Sequence, residues 1–355
     1  MDQNIFQVLD ELPQVLGQYN KPMIVHGRSF DGYPIKPDFE QYDLVHFTGF
    51  GSNPLYEDVC KGVDLFNQND CDAIIAVGGG SAIDVAKCIK FFCRMDKGIN
   101  YLQQEKKDTN IPLIAVPATA GTGSESTQHA VIYFDGEKQS ISHPSLVPDY
   151  VFLVPELLKD LPLYQKKCAM LDALCQAIES WWSVNSTDES KAHSRKAIGA
   201  IKENWEEYIF ENTDVSAEKI MWASNYAGRA INITATTAAH AMSYKITSMY
   251  GLPHGHAVAV CLPEVWEYML EHTQDCIDNR GVEYFKSIIA EIDEMIDLSY
   301  FQGMIEKMEM SYPVAEDKEA EIEKLAKSVN PVRLKNNPVL LTTETLREMY
   351  RRIIH

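Results

Sequence analysis

The sequence predicts an α/β unit built on a Rossmann-like, mainly parallel sheet, followed by an all-helical unit. Three observations predict it. The stretch Ile74-Ile75-Ala76-Val77-Gly78-Gly79-Gly80-Ser81-Ala82-Ile83-Asp84-Val85-Ala86-Lys87 reads as a short buried strand, a glycine turn and the opening of a helix. Short apolar runs alternate with helical patterns up to Pro155. Beyond it helical periodicity dominates, which places the boundary at Pro155 to Pro162 and the units at 1–156 and 157–355.

Taken in order, Ile5, Phe6, Leu9, Leu12, Val15 and Leu16 recur at helical spacing, and Pro13 must kink that helix or sit in its first turn. Met23-Ile24-Val25 is a strand, and His26-Gly27-Arg28-Ser29 follows its carboxyl end, where a dinucleotide fold meets its ligand and an adenosine end fits. Leu44 to Thr48 is a strand, and Leu55 to Phe66 a helix with Val59, Val63 and Phe66 on one face. Ile111 to Val116 is a strand that runs into the small and hydroxylated residues from Pro117 to Glu125. Val131 to Phe134 and Val151 to Val154 continue the strand pattern, separated by the turn Asp135-Gly136-Glu137 and the Pro144 to Pro148 loop. Helices follow over Cys168 to Trp182, Ser190 to Ile209, Ala217 to Ala230, Ala238 to Tyr250 and His256 to Glu271, with shorter ones to the end. Asp275 to Val314 is acidic enough to be mostly solvated surface, and His26, His46, His129, His143 and His355 are expected to be satisfied singletons.

With 355 residues, 45% of them hydrophobic, the chain can bury two moderate cores. A net charge of -19 without a basic run excludes nucleic acid and anionic membrane surfaces as partners. There is no bilayer-length apolar run and no signal-peptide pattern, so a cytoplasmic location is expected. The eight cysteines form no CxxC pair and read as reduced thiols, mostly filling the core.

Two stretches carry chemistry. The glycines of Gly78-Gly79-Gly80-Ser81 let the backbone approach a ligand, and the free N–H groups and dipole of the following helix favour a phosphate. A tight turn holding no ligand is the other reading. Asp172 and Gln176 stand four residues apart on one helix face, and His240 and His254 lie further along. A carboxylate and two imidazoles suit a divalent metal with an open position, although a surface aspartate and two unrelated histidines give the same spacing.

The order GGGSAIDVAK, PATAGTGSE, DALCQAIE, AHAMSY, GLPHGH and Lys335-Asn336-Asn337-Pro338, from about Pro22 to the end, resembles the iron-containing alcohol dehydrogenase family. The resemblance implies the dehydroquinate synthase-like fold: a nicotinamide-binding α/β domain, an all-α metal-binding domain and an active site in the cleft between them. It also implies a homodimer or larger homo-oligomer and hydride transfer between NAD or NADP and a small aldehyde. By position it implies that Gly79, Gly80, Ser81 and Asp84 form the pyrophosphate loop and that Asn53 contacts the cofactor. Thr119, Thr122 and Ser124, with Lys138, would flank the nicotinamide and ribose, and Asp172, His240 and His254 would bind iron or zinc.

Three departures bear on chemistry. Gln176 stands where the family usually has a histidine ligand, which implies weaker binding, a different ion or none. Tyr244-Lys245 stands where the family commonly has a His-Pro pair; Tyr244, or His256, would deliver a proton and Lys245 adds a cation, unless the pair only packs and solvates. Gly27, with Arg28 and Ser29, replaces the acid that would repel a 2′-phosphate, so NADP fits as well as NAD. The combination DALCQAIESWWS, AHAMSYKIT and PHGHAVAV is similar to the family's phosphonoacetaldehyde reductase (hydroxyethylphosphonate dehydrogenase) branch, with Lys245, Arg229 or His256 as phosphonate donors. A general short-chain alcohol dehydrogenase, a dehydroquinate-synthase-like lyase using NAD transiently, and a non-catalytic cofactor-binding protein are the alternatives.

Overall fold

The computed structural model describes residues 3–355, which fall into two compact units, Met1–Leu161 and Pro162–His355. The first contains, in chain order, β1 (Asn4–Phe6), α1 (Leu12–Leu16), β2 (Pro22–His26), α2 (Lys36–Glu40), β3 (Val45–Phe47), α3 (Tyr56–Gln68), β4 (Ala73–Gly78), α4 (Gly80–Phe92), β5 (Leu113–Pro117), β6 (His129–Phe134), β7 (Glu137–Ser142) and β8 (Tyr150–Phe152). Six strands form one parallel sheet in the order β1-β8-β5-β4-β2-β3.

The central strands β2, β4 and β5 are buried along their whole length, because helices cover both faces of the sheet. Alternate residues point to opposite faces. Met23, Val25, Ile74, Ala76, Leu113 and Ala115 pack with Val59 and Val63 of α3 and Ile83 and Ile89 of α4. Ile24, Ile75, Val77, Ile114 and Val116 pack with Leu12, Val15 and Leu16 of α1 and Phe39 of α2. Because β2 lies between β3 and β4, the connections leave it in opposite directions, and the crevice this creates is at the carboxyl ends. The register His26 with Val77 and Gly78 with Pro117 brings those ends to one edge.

The first residues differ from the helical expectation. Asn4–Phe6 pair with Tyr150–Phe152 as an edge strand, Phe6 stacks on Phe152 at 5.0 Å, and the helical part is confined to a 3-10 turn at Leu9–Glu11 and the α-helix Leu12–Leu16, with Pro13 in its first turn. Sheet pairing has overridden the local period. Glu137–Ser142, of which the sequence reading assigned only Glu137, to a turn, is a strand antiparallel to β6; only Ile141 of its side chains is buried, so no apolar alternation announces it. His26 and His46 are not singletons either, since His26 Nε2 lies 3.0 Å from His46 Nδ1. Burial lowers the His26 pKa, although its bond with the Gly27 carbonyl works against this.

Helix α4 is fastened to the segment after β5 by two side chains one turn apart. The buried Lys87 ammonium donates to the carbonyls of Ser124, Thr127 and His129 at 2.6, 2.7 and 2.7 Å. Asp84 accepts from Ser124 Oγ at 2.6 Å and from the Val131 N–H at 3.0 Å.

The second unit contains α5 (Leu163–Trp182), α6 (Asp188–Glu206), α7 (Asp214–Thr234), α8 (Ala238–Tyr250), α9 (His254–Glu271), α10 (Val282–Met295), α11 (Leu298–Lys307), α12 (Lys318–Ser328), α13 (Pro331–Leu334) and α14 (Thr343–Ile353). Trp181, Trp182 and Trp266 lie fully inside it. The acidic stretch from Asp275 to Val314 is not mostly solvated: α10 buries Phe285, Ile288, Ile289 and Ile292, and α11 buries Phe301, Met304 and Ile305. Its acids occupy the outer faces of amphipathic helices. All eight cysteines are free, six of them buried. Among the described residues no helix is long and apolar enough to cross a membrane.

Replacing Lys87 with Met strands three buried carbonyls and should cost about 2–4 kcal/mol in urea denaturation. Burial holds the Lys87 pKa down at about 8, with Asp84 and Glu125 pulling the other way, against 10.5 for an unperturbed lysine. Between pH 8 and 10.5 the unfolded chain therefore binds the extra proton, and wild type should gain stability relative to Lys87→Met as pH rises through that window.

Candidate active site

In the first unit, the carboxyl ends of β4 and β5 carry the glycine turn and the Pro117 to Glu125 segment. A Cβ built on Gly80 would lie 2.8 Å from Thr122 Oγ1, and one on Gly79 would lie 3.3 Å from Thr119 Cγ2, so the two segments approach as closely as glycine permits. Ser81 Oγ donates to the Ser52 carbonyl at 2.6 Å, which ties the start of α4 to the loop carrying the exposed Asn53. The structure thus gathers Asn53, Gly79, Gly80, Ser81, Thr119 and Thr122 around the first turn of α4, where the Gly80 and Ser81 N–H groups precede the first helical bonds, those of Ala82 and Ile83 to the Gly79 carbonyl. Lys138 lies on β7 opposite Tyr133, and its charge reaches Asp84.

Two of the candidate cofactor residues do something else. Both Asp84 oxygens are occupied by Ser124 and Val131, and Ser124 is buried between Asp84 and Lys87. They shape the loop from beneath, and burial raises the Asp84 pKa against the pull of Lys87.

In the second unit, Asp172, Gln176 and Glu179 line one face of α5 at spacings of four and three residues, and all are buried. Glu179 is the centre of this arrangement. Its Oε1 accepts from Thr237 Oγ1 at 2.6 Å and from the Ala239 N–H at 2.9 Å, capping the start of α8, while Oε2 binds His240 Nδ1. With Nδ1 committed, His240 presents Nε2 to Asp172 Oδ1 at 3.2 Å. His254, in the first turn of α9, completes the group: one ligand atom each from Asp172, His240 and His254 lie within 4.8 Å of one another. Its Nδ1 is 3.4 Å from Ser243 Oγ, whose proton goes to the His240 carbonyl.

The donor set fits a divalent cation on two counts. Gln176 Oε1 is buried without a hydrogen-bond partner, an orphaned carbonyl oxygen one turn from Asp172 that a cation would satisfy. Two imidazoles and a carboxylate are also the donor chemistry of ferrous or zinc sites. Burial opposes ionisation of Asp172, but the His240 hydrogen bond and the nearby His254 lower its pKa overall. Burial would lower that of His240, but Glu179 and Asp172 raise it to about 10.

A close helix contact sets this geometry. A Cβ on Gly255 would lie 1.9 Å from the Cys168 carbonyl oxygen and 2.8 Å from Asp172 Cβ, so α9 presses its first turn against α5 where only hydrogen fits. The link from α7 to α8 is strained: Ala235 adopts φ 55 and ψ 179, a region almost reserved for glycine. Asn336 Nδ2 holds that link by donating to the Thr234 and Thr236 carbonyls at 2.8 and 2.9 Å.

Tyr244 stacks on His254, rings 5.5 Å apart and 7° from parallel, and its hydroxyl accepts from Arg333 Nη1 at 3.2 Å. The remaining candidates are placed otherwise. His256 engages Tyr164 Oη through Nδ1 and the Ser311 carbonyl through Nε2, and burial lowers its pKa despite the latter bond, so the proton-donor expectation fails for lack of a free ring nitrogen. Arg229 spends its Nε on Asn225 Oδ1 at 3.0 Å, and Lys245 is half-buried one position past Tyr244. Sequence reasoning missed Glu179, Ser243 and Arg333. Glu179 had a signal, its i+7 spacing from Asp172; Arg333 had none.

Residues 4–155 match the family described as iron-containing alcohol dehydrogenase, and residues 167–354 match its C-terminal part. The probable alcohol dehydrogenase EutG of Escherichia coli strain K12 is 34% identical over 220 residues, 61% of this chain and 56% of that protein. The phosphonoacetaldehyde reductase of Streptomyces viridochromogenes is 32% identical over 235 residues, 61% of this chain and 58% of that one. The matches therefore span little more than half the length of these relatives. The crystal structure of sulfoacetaldehyde reductase from Bifidobacterium kashiwanohense in complex with NAD+ superposes with a TM-score of 0.87 over 99% of this chain and 96% of that one, at 23% identity, a likeness of fold.

Gly255→Ala should force α9 from α5, costing about 2–4 kcal/mol in chemical denaturation and loosening divalent-metal binding in equilibrium dialysis. Ala235→Gly should relieve the strained link and raise stability by about 1 kcal/mol in the same assay.

Proposed function

The chain belongs to the iron-containing alcohol dehydrogenase family, and on that premise we propose that it reduces a small aldehyde to a primary alcohol with NADH or NADPH. Phosphonoacetaldehyde, reduced to 2-hydroxyethylphosphonate, is the substrate we assign. The observation that carries the reading is the set of buried Asp172, buried His240 and half-buried His254 with the orphaned Gln176 oxygen, oriented by Glu179. These four residues would hold an iron-type divalent ion. When bound, that ion supplies a Lewis acid for the aldehyde carbonyl and the reduced nicotinamide supplies hydride.

The chain's own groups position the reactants. The first turn of α4, with Gly79, Gly80 and Ser81, takes the pyrophosphate, and Asn53, Thr119 and Thr122 border it. Arg28 is exposed beside Gly27, so a 2′-phosphate meets a cation rather than an acid and both cofactors are accepted. The Tyr244 hydroxyl accepts from Arg333 beside His254, and as a phenol it can pass a proton to the substrate oxygen. Eight free cysteines suit a reducing compartment such as the cytoplasm.

The test follows NADH and NADPH absorbance with phosphonoacetaldehyde and purified protein loaded with ferrous iron or zinc. Stoichiometric oxidation of the nicotinamide is expected; a lyase would show none, and no loss with any metal and either cofactor would overturn the reading. Glu179→Gln should weaken metal binding about 10–100-fold in a competitive chelator titration.

A further inference from the structure

Arg333 lies in α13, outside every stretch singled out for chemistry, yet its guanidinium sits 5.0 Å over the Tyr244 ring, on the tyrosine that stacks on His254. It has no carboxylate within ion-pair distance among the described residues, although the chain carries 51 aspartates and glutamates. Arg280, Arg347, Arg351 and Arg352 all have one. Nη1 bonds the Tyr244 hydroxyl, and the other N–H groups of the fork have no hydrogen-bond partner among the described residues.

The position is built. Asn330 caps α13 through the Val332 N–H at 2.9 Å, and Asn337 is fully buried with its Nδ2 on the Val339 carbonyl at 2.8 Å. Between them Asn336 reaches back to Ser183 Oγ at 2.7 Å and to the link before α8. One asparagine thus fixes the approach of both Arg333 and His240. A half-buried guanidinium over an aromatic ring, with donors to spare, is suited to bidentate binding of an oxyanion.

We infer that Arg333, oriented by Tyr244, is the specificity-determining residue that binds the acid group of an anionic aldehyde, of the phosphonate or sulfonate class. The inference rests on the proposed reductase activity and names the side chain that selects its substrate. It takes the place of Lys245, Arg229 and His256 as the anion's partner because its guanidinium lies against the tyrosine that stacks on His254, whereas both ring nitrogens of His256 are engaged within the protein and Arg229 is tied to Asn225 through Nε. In a chain of net charge -19 a small dianion is repelled at long range, so a local cation beside the reacting end is required to hold it.

Steady-state kinetics of metal-loaded Arg333→Met and Arg333→Lys, with phosphonoacetaldehyde and with uncharged propanal, test it. Arg333→Met should raise KM for phosphonoacetaldehyde about 10–100-fold with KM for propanal within about threefold, while any loss of kcat transmitted through the Tyr244 hydroxyl falls equally on both aldehydes, and Arg333→Lys should recover part of the KM effect. Equal rises in KM on both aldehydes, or none on either, overturn the inference. Calorimetric binding of methylphosphonate to metal-loaded wild type, weakened about tenfold or more in Arg333→Lys, gives a reading that needs neither turnover nor the Met variant. If wild type reduces no aldehyde, the reductase reading fails while this binding still stands; if methylphosphonate binds both proteins equally, Arg333 is not the anion's partner.

Discussion

Charge balance around His240 governs the helical unit. Asp172 and Glu179 bring two carboxylates into the interior, and neither forms an ion pair with a lysine or arginine among the described residues; the imidazole between them is their partner. Buried carboxylates in this arrangement persist only with a cation among them and every remaining lone pair hydrogen-bonded. Glu179 meets the second condition by capping α8, which ties the electrostatics of the site to the start of the helix that carries His240. The orphaned Gln176 oxygen marks where the first condition is incomplete in the protein alone.

The α/β unit solves a parallel problem with opposite charge. Lys87 is wholly buried, and its ammonium gathers three carbonyls of the segment that follows β5, those of Ser124, Thr127 and His129. The segment after β5 can therefore leave regular structure and lie against the glycine turn, which a loop with unpaired buried carbonyls could not do. Gly80 then sets how near the two segments come.

Placement around His254 is likewise overdetermined from several sides. Gly255 fixes the distance between α9 and α5, Ser243 reaches the His254 Nδ1, and Tyr244 covers the ring face. Asn336 holds the strained Ala235 link and the turn after Arg333 in one network, so His240, at the start of α8, and the guanidinium above Tyr244 share a support. Strain of this kind survives only where surrounding bonds exceed its cost.

By itself the sequence determined the parallel α/β layer, because strands buried on both faces must be continuous apolar runs, and the glycine turn, because a helix start beside a second loop leaves no room for a Cβ. It also placed Asp172 and Gln176 on one helix face, a matter of local period. Only the tertiary structure decided that Ile5 and Phe6 pair with β8, that Glu137–Ser142 is a strand, and that His26 meets His46. β7, only a short turn from β6, goes unannounced because its side chains lack apolar alternation, whereas the β1–β8 pairing spans more than a hundred residues and leaves no trace in a window of eighteen. The same limit separates Glu179, visible in the period of α5, from Arg333, which lies 89 positions from Tyr244 and has no local pattern to announce it. It sits beside the metal cluster because Asn336 and Asn337 fix the chain there, and distance in sequence says nothing of that.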